Sequence, residues 1–170
     1  PAAIPSGTDE VVAKRYELAS IVQRYQTIKD GLGVLDYSDL IAKSYELVTT
    51  FPEVAGTIRD RYDTALLDEY QDTDPAQRKL LQVIFGHGFP LTAVGDGDQT
   101  IYEWRGASLD NFEGFSHHFP QSSGAGAPTL PLTVNRRSGE LVLEVANAIR
   151  SHLHEDDFDH LVPATDAPAA

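Results

Sequence analysis

Three short apolar segments of this chain each end in a cluster of polar and charged residues. Residues 65–67 are apolar at consecutive positions, residues 91–94 are mostly apolar, and Leu130, Leu132 and Val134 are apolar at alternate positions. Runs of this kind are typical of strands, and strands that alternate with helices indicate a parallel sheet flanked by helices. In such sheets ligands bind beyond the carboxyl ends of the strands. The pattern therefore predicts an α/β fold whose polar clusters converge on one crevice.

Apolar residues at helical spacing predict the elements that separate these strands. The Gly31-Leu32-Gly33 break ends the first helix, and Asp74-Pro75 is a helix cap followed by a first-turn proline. Helices are expected over about residues 9–30, 37–48 and 52–62, from Pro75 onward, from Ser108 to about His117, and from Ser138 onward.

Composition excludes several classes of function. The formal net charge of −13 argues against a protein that holds nucleic acid by charge alone, although stacking on aromatic rings needs little net charge. The absence of cysteine excludes disulfides, zinc–thiolate sites and thiol nucleophiles. No apolar stretch is long enough to cross a membrane, and PAAIPSGTDE lacks the features of a secretion signal. We therefore expect a cytoplasmic protein with no membrane partner.

The first polar cluster begins with two adjacent carboxylates, Asp68 and Glu69. Phosphoryl transfer to water needs one carboxylate to hold the magnesium of the nucleotide and another to orient or deprotonate the water. A solvated turn at the end of a strand produces the same pair of residues. The pair alone leaves both interpretations open.

Three motifs together extend this interpretation. LLDEYQDTDPAQ, AVGDGDQTIYEWRGA and LTVNRRS, in this order and spacing, resemble the UvrD/Rep/PcrA family of superfamily 1 DNA helicases. The resemblance covers about residues 11–150, because LDYSDLIAKSYEL also resembles the family's stretch before its acidic motif. It implies part of the parallel sheet of the first RecA-like motor domain. Residues 1–30 would be a helical segment ending an inserted subdomain, 31–155 the motor-domain part, and 156–170 a loose tail.

The resemblance also implies nucleotide-binding roles. Asp68 and Glu69 match the Walker B pair that holds Mg²⁺, with Glu69 as the catalytic base. Gln99 matches the residue that contacts the terminal phosphate of ATP and the attacking water. Arg137 matches an arginine finger for the same phosphate. The family usually has a tyrosine that stacks on adenine immediately before this arginine. Here the position is Arg136, whose guanidinium can also stack on a flat ring.

Further residues are implied to contact DNA or to link it to the nucleotide. Tyr102 and Trp104 match aromatics of the single-strand path, and Arg105 matches a coupling arginine. Gln71 and Asp72 would hold the loop that links nucleotide to DNA, although they could equally form a helix-capping cluster.

Other structural roles compete with the DNA contacts. Trp104 could lie in the core, but Glu103, Arg105 and Gly106 are poor company for burial, which favours exposure. Tyr102 could point inward. Arg105 could simply pair with a carboxylate such as Asp72 or Glu103.

The family's phosphate-binding loop is missing from this sequence. No G-x-x-x-x-G-K-[ST] motif occurs, and there is no Gly-Lys dipeptide. We therefore expect a piece of a longer helicase that is inactive by itself. The family's central strand beside residues 64–67 is also absent, so this unpaired sheet edge could support self-association.

The implied function of the parent protein is ATP- and Mg²⁺-dependent 3′–5′ movement on DNA in repair or recombination. Its partners would be single-stranded DNA and 3′-tailed duplex DNA. One alternative is a subunit of a helicase–nuclease complex. Another is a catalytically silent interaction module, which the missing loop favours and the intact set of Asp68, Glu69, Gln99 and Arg137 disfavours.

Overall fold

The computed structural model describes residues 10–86, 88–153 and 159–165. The chain divides into two compact units, Pro1–Ala127 and Pro128–Ala170. The fold is a helix-rich α/β arrangement with small parallel sheets. None of the helices in the described ranges is both long enough and apolar enough to cross a membrane.

The first unit contains six helices and two strands within its described part. They agree with the expected elements, except that the helix expected from Ser108 to about His117 is interrupted at Gly114. The elements are α1 Glu10–Leu32, α2 Tyr37–Thr50, α3 Pro52–Arg61, β1 Ala65–Leu67, α4 Pro75–Phe85, β2 Leu91–Ala93, α5 Leu109–Glu113 and α6 Phe115–His118. Short 3₁₀ turns lie at Tyr70–Asp72, Gly97–Gln99 and Glu103–Arg105.

Side-chain caps begin two of these helices. The Asp74 carboxylate accepts hydrogen bonds from the backbone N–H groups of Ala76 and Gln77 at the start of α4, where Pro75 occupies the first turn. This confirms the predicted Asp74-Pro75 cap. Helix α2 begins in the same way, with Asp36 as the cap and Asp39 completing a capping box.

Strands β1 and β2 form a parallel pair with Ala65 opposite Leu91 and Leu67 opposite Ala93. The pairing continues past the strands, because the N–H of Val94 donates to the carbonyl of Leu67 at 2.8 Å. The N–H of Tyr70 in turn donates to the carbonyl of Val94 at 3.0 Å. Both strands therefore deliver the polar residues that follow them to the same edge.

The prediction of a third strand over residues 130–134 in this sheet was wrong. Among the described residues, β1 and β2 form a two-stranded sheet, and β3 covers Val134–Asn135 in the second unit. It pairs in parallel with β4, Val162–Pro163. The physical reason is that the C-terminal segment supplies the backbone donors: the N–H of Val162 bonds to the carbonyl of Thr133 and that of Ala164 to the carbonyl of Asn135.

The second unit consists of β3, the helix α7 at Glu140–Leu153, and β4. The Asn147 side chain fastens the helix to the segment before β4. Its amide donates to the carbonyl of Leu161, and its oxygen accepts from the N–H of Leu161, both at 2.9 Å. Leu161, Val162 and Ala164, which lie within the segment 156–170 expected to be a loose tail, thus make hydrogen bonds to α7 and to residues 133–135.

An aromatic cluster centred on Tyr70 forms the core beneath the sheet edge. Tyr70 is 1% exposed, and its ring meets the edges of Phe115 at 5.2 Å and Phe119 at 6.5 Å between centroids. Burial raises the pKa of Tyr70 to about 12. The cluster fixes α6 against the residues that directly follow Asp68 and Glu69.

A buried ammonium group joins α1 to α2. Lys29 is 4% exposed, and its Nζ lies 2.7 Å from Asp36 Oδ2 and 2.6 Å from Asp39 Oδ2. Burial alone would lower the pKa of Lys29, but the hydrogen bonds to the two carboxylates raise it. The hydrogen bond from Lys29 lowers the pKa of Asp36 to about 2 and also lowers that of Asp39.

This cluster predicts a specific pH dependence of stability. Because the folded-state pKa of Asp36 lies below the ordinary value of about 4, its contribution is present above pH ~4 and is lost as the pH falls towards 2. Asp36→Asn keeps a good cap but loses the charge. Its urea unfolding midpoint should therefore lie below that of the unchanged chain at pH 5, and the two should converge towards pH 2.

Asp30→Asn removes an exposed carboxylate near the end of α1, next to Lys29 in the sequence, and controls for net charge. A difference between Asp36→Asn and the unchanged chain that stays constant across this pH range would contradict the assignment.

Candidate functional site

One buried amide joins the two loops that follow β1 and β2. We call residues 68–72 the acidic segment and residues 95–99 the GDGDQ loop. Gln71, which is 1% exposed, donates from Nε2 to Glu69 Oε2 at 2.6 Å. Its Oε1 accepts the backbone N–H of Asp96 at 3.2 Å. The side chain of Gln71 thus binds the acidic segment and the GDGDQ loop at once.

The close approach of these loops requires glycine at position 95. A Cβ atom there would overlap Gln71 Oε1 and would lie 2.8 Å from the Phe112 ring. Both atoms belong to packed side chains in the partly buried region around Gln71. A larger residue at position 95 would push the GDGDQ loop away from the amide that holds it.

The GDGDQ loop holds Gln99 through Asp96. Asp96 Oδ1 accepts the N–H of Asp98 at 3.0 Å, and Asp96 Oδ2 accepts from Gln99 Nε2 at 2.8 Å. Glu69, Gln71, Asp96 and Gln99 therefore form one continuous hydrogen-bonded chain. The sequence analysis did not single out Asp96. The feature that could have indicated its role is its position as the cap of the 3₁₀ turn at Gly97–Gln99.

Asp68 and Glu69 are both exposed at the end of β1. Glu69 has a left-handed backbone with φ of 50°, the single positive φ among non-glycine residues in the described ranges. Such a conformation costs on the order of 1 kcal/mol and persists where surrounding contacts impose it. Here the hydrogen bond from Gln71 and the N–H of Glu69 to Asp68 Oδ1, at 3.0 Å, fix the turn.

The donor set of this pair fits Mg²⁺. Mg²⁺ prefers oxygen ligands and is commonly bound by one or two carboxylates together with water and substrate phosphates. Asp68 has one oxygen outside the bond to Glu69, and both side chains reach solvent. Across the described residues, no group of three or more His, Cys, Asp or Glu forms a protein-only metal cage.

An exposed aromatic loop follows the GDGDQ loop; it comprises residues 102–107. Trp104 is 75% exposed, which excludes the alternative of a core residue, and Tyr102 is partly buried. The Arg105 guanidinium lies 4.6 Å from the centre of the Trp104 ring and 5.0 Å from that of Tyr102. Gly106 closes the turn with φ of 100°, a conformation that favours glycine.

Among the described residues, Arg105 forms an ion pair with neither Asp72 nor Glu103. The described ion pairs do not include Arg105, whose guanidinium stacks on the two rings instead.

Two buried oxygen atoms near the site have no hydrogen-bond partner in the described ranges. They are the carboxylate Oδ1 of Asp72 and the hydroxyl of Thr100.

A second buried amide anchors the segment after the aromatic loop. Asn111, 4% exposed, donates from Nδ2 to the carbonyl of Thr73 at 3.0 Å and accepts from Arg78 Nε at 2.8 Å. Arg78 also bonds to Gln82, which donates to the carbonyl of His118 at 2.9 Å. Asn111 therefore ties α5 to α4 and to the end of the acidic segment. Sequence reasoning missed it, because a lone asparagine in a short helix carries no distinctive pattern.

Arg136 and Arg137 lie in the second unit, exposed in the turn between β3 and α7. Asn135 Oδ1 shapes this turn by accepting the N–H groups of Arg137 at 2.9 Å and Ser138 at 2.8 Å. Helix α7 begins at Glu140, two residues after the expected cap at Ser138. Asp68, Glu69 and Gln99, in contrast, all lie in the first unit.

Comparison with known proteins supports this picture. The model of the UvrD/REP helicase N-terminal domain matches residues 5–120. DNA helicase II of Escherichia coli (strain K12) is 36% identical over 129 residues, which cover 76% of this chain and 17% of that protein. ATP-dependent DNA helicase UvrD1 of Mycobacterium leprae is 33% identical over 156 residues, 86% of this chain and 19% of the relative. ATP-dependent DNA helicase PcrA of Leuconostoc citreum is 33% identical over 138 residues, 81% of this chain and 18% of the relative.

The chain spans less than a fifth of the length of these curated relatives. The family match includes the acidic segment, the GDGDQ loop and the aromatic loop, whereas Arg136 and Arg137 lie beyond it. The matched range thus contains the acidic segment and the GDGDQ loop, which the first unit brings together at one edge of its sheet. This chain belongs to the UvrD/REP helicase family.

Proposed function

We propose that the chain is part of the first RecA-like motor domain of an ATP-dependent DNA helicase or translocase. The observation that carries this proposal is the hydrogen-bonded chain from Glu69 through Gln71 and Asp96 to Gln99. It links a carboxylate pair suited to Mg²⁺ and ATP with a loop that runs directly into exposed aromatic residues. A motor needs such a link, because hydrolysis must change the grip on DNA.

The nucleotide side of the site uses the acidic segment. Asp68 and Glu69 would hold the Mg²⁺ of ATP, which neutralises charge on the transferred phosphate when bound. Glu69 orients the attacking water and accepts its proton, and the hydrogen bond from Gln71 fixes the position of its carboxylate. Gln99 contacts the terminal phosphate and the attacking water.

By resemblance to the family, Arg137 would supply positive charge to the terminal phosphate in the parent enzyme, in the manner of an arginine finger. Arg136 stacks its guanidinium on adenine in place of the usual tyrosine ring. Both side chains are exposed and belong to a turn whose backbone Asn135 holds.

The DNA side of the site uses the aromatic loop. Trp104 keeps 75% of its surface exposed even with a guanidinium against its ring, so the indole has room to stack on a base. Tyr102 and Arg105 extend the same platform. In a chain of formal charge −13, stacking is the expected source of affinity, since it does not depend on a basic surface.

Coupling follows from the short path between the two sides. Two residues, Thr100 and Ile101, separate Gln99 from Tyr102. A shift of Gln99 on loss of the terminal phosphate therefore moves the aromatic loop, while Asn111 holds the segment behind it. By resemblance to the family, the movement is 3′ to 5′ along single-stranded DNA or a 3′-tailed duplex, in repair or recombination in the cytoplasm.

The proposal extends to the sheet. In the parent protein, the β1–β2 pair would be part of a larger RecA-like sheet, with a further strand on the other side of β1. Leu66 of β1 is 75% exposed, so one face of this strand is uncovered, whereas strands of a complete parallel sheet are buried on both faces. In the 170-residue chain that edge could support self-association.

The catalytic assignment is tested by Glu69→Gln in the parent enzyme, because this chain contains no G-x-x-x-x-G-K-[ST] loop. Hydrolysis should fall by about 10²–10⁴-fold, the range typical for loss of a general base. Nucleotide binding should persist because Asp68 remains. The measurements are steady-state ATPase activity with single-stranded DNA and equilibrium binding of a fluorescent ATP analogue.

Glu113→Gln, an exposed substitution on α5, is the matched control and should leave turnover unchanged. Near-normal turnover in Glu69→Gln would refute the role of Glu69. A parent protein without any ATPase activity would instead favour the catalytically silent interaction module.

The DNA-binding assignment is tested by Trp104→Ala in the parent enzyme. Removal of one stacked base should cost roughly 1–3 kcal/mol of single-strand affinity. Because stacking does not depend on charge, the loss should persist as the salt concentration rises. Fluorescence anisotropy of a labelled thymidine oligonucleotide across a salt titration measures both quantities.

The control is Tyr37→Ala, which removes an aromatic side chain that is 89% exposed at the start of α2, outside the aromatic loop. Equal affinity of Trp104→Ala and the unchanged enzyme at every salt concentration would exclude base stacking by Trp104.

A further inference from the structure

Both ends of the aromatic loop are tied to the chain around the acidic segment. Its first residue, Tyr102, follows the GDGDQ loop, which Gln71 binds through the N–H of Asp96. Its last residue, Ala107, leads into α5, the helix that carries Asn111. A loop that is fixed at one end can swing freely, whereas a loop that is fixed at both ends passes a displacement on to its anchors.

Asn111 makes the second of these ties. Its Nδ2 donates to the carbonyl oxygen of Thr73, the residue immediately after the acidic segment, at 3.0 Å. The aromatic loop itself lies close by, since a Cβ placed on Gly106 would be 3.7 Å from the Cβ of Asp74. Ala107 is 8% exposed, so the end of the loop is packed into the protein.

Helix α5 also contacts the GDGDQ loop. A Cβ placed on Gly97 would lie 3.4 Å from Leu109 Cδ1 and 3.6 Å from Phe112 Cε1. The helix thus contacts the GDGDQ loop through apolar side chains and the end of the acidic segment through an amide. Apolar contacts have no preferred direction, whereas a hydrogen bond fixes distance and angle. Asn111 is therefore the directional contact between α5 and the acidic segment.

A guanidinium holds the Asn111 amide in place. Asn111 Oδ1 accepts from Arg78 Nε at 2.8 Å, and Arg78 also donates to Gln82 Oε1. Because its oxygen is bound to Arg78, the amide directs its nitrogen at Thr73. Asn111 is 4% exposed, and breaking this bond would leave a buried donor without a partner, which is costly. A displacement of α5 should therefore carry Thr73 with it.

The 3₁₀ turn at Tyr70–Asp72 connects Thr73 to Glu69. The N–H of Thr73 donates to the carbonyl of Tyr70 at 3.1 Å, and the N–H of Asp72 donates to the carbonyl of Glu69 at 2.9 Å. These bonds join the backbone from Glu69 to Thr73 into one hydrogen-bonded turn. Movement of Thr73 thus reaches Glu69 through the backbone.

We propose that Asn111 is a positioning residue through which DNA at the aromatic loop acts on the nucleotide site. The inference rests on the proposed helicase function and adds a second path to the contact made by Gln71. A base that stacks on Trp104 displaces the aromatic loop and α5. Asn111 passes this displacement to Thr73, four residues after the proposed general base Glu69.

Asn111→Asp tests this contact with a small change. The carboxylate keeps the oxygen that accepts from Arg78, and the guanidinium favours its ionised form, so it cannot donate to Thr73. Gln82→Glu is the matched control. It makes the same change from amide to carboxylate beside the same guanidinium, and it loses a hydrogen bond to the carbonyl of His118, which lies outside the acidic segment.

The first readout is the ratio of ATPase activity with saturating single-stranded DNA to activity without DNA, measured in the parent enzyme. In Asn111→Asp this ratio should fall by about two- to thirtyfold, the range typical of substitutions along a coupling path. Gln82→Glu should keep the ratio of the unchanged enzyme, even where both variants lose a similar amount of thermal stability. A purely structural role would affect the two variants alike.

The second readout uses the 170-residue chain and needs no activity. Trp104 is the single tryptophan of this chain, so time-resolved fluorescence anisotropy reports the motion of the aromatic loop. Asn111→Asp should increase the fast component of the anisotropy decay, because the loop loses one anchor. Gln82→Glu should leave the decay unchanged.

An unchanged stimulation ratio in Asn111→Asp, an unchanged anisotropy decay in the same variant, or an equal effect in Gln82→Glu would overturn the inference. A parent protein without DNA-stimulated ATPase activity would instead refute the proposed function. The anisotropy of Trp104 would still decide whether Asn111 anchors the aromatic loop.

Discussion

The amide of Gln71 is the contact on which the site depends. A buried amide is costly unless its groups are hydrogen-bonded, and leaving one unsatisfied costs about 1–3 kcal/mol. Gln71 satisfies its donor with Glu69 and its acceptor with the backbone of Asp96. Moving either loop away would leave a polar group buried without a partner. The loops therefore behave as one unit, although they follow different strands.

Several local features follow from that constraint. Glu69 adopts a left-handed backbone, which places its carboxylate within reach of Gln71. Position 95 has space for glycine alone, because the amide oxygen and the Phe112 ring occupy the volume of a side chain. Tyr70, packed among phenylalanines, closes the core directly beneath. The backbone strain at Glu69 and the close contacts at position 95 are thus offset by the burial of Gln71 and Tyr70.

The local elements of this fold could be predicted from the sequence, whereas the contacts between distant segments could not. Strand β1, the break after α1 and the Asp74 cap each depend on a few adjacent residues. Asn111 acquires its role by bonding to Thr73, 38 positions away, and no local pattern encodes that contact. The third strand was misplaced for the same reason, since its partner is Val162–Pro163 and not the β1–β2 sheet.

The aromatic loop shows which contacts can be predicted from residue types alone and which cannot. The neighbours of Trp104 predicted its exposure correctly, but charge suggested a carboxylate partner for Arg105 where the structure has two aromatic rings. A guanidinium stacks as readily as it pairs, and geometry decides between the two. The resulting platform begins three residues after Gln99, close enough in sequence for the proposed nucleotide side and the proposed DNA side to respond together.

We infer that Gln71 transmits the state of the proposed nucleotide site to the proposed DNA-contacting loop. The most direct measurement is the DNA-stimulated ATPase activity of Gln71→Met in the parent enzyme, relative to its activity without DNA. Methionine matches the length of glutamine but lacks its amide. The expected result is a stimulation ratio close to one with single-strand affinity retained. Unchanged stimulation in this variant would contradict the claim.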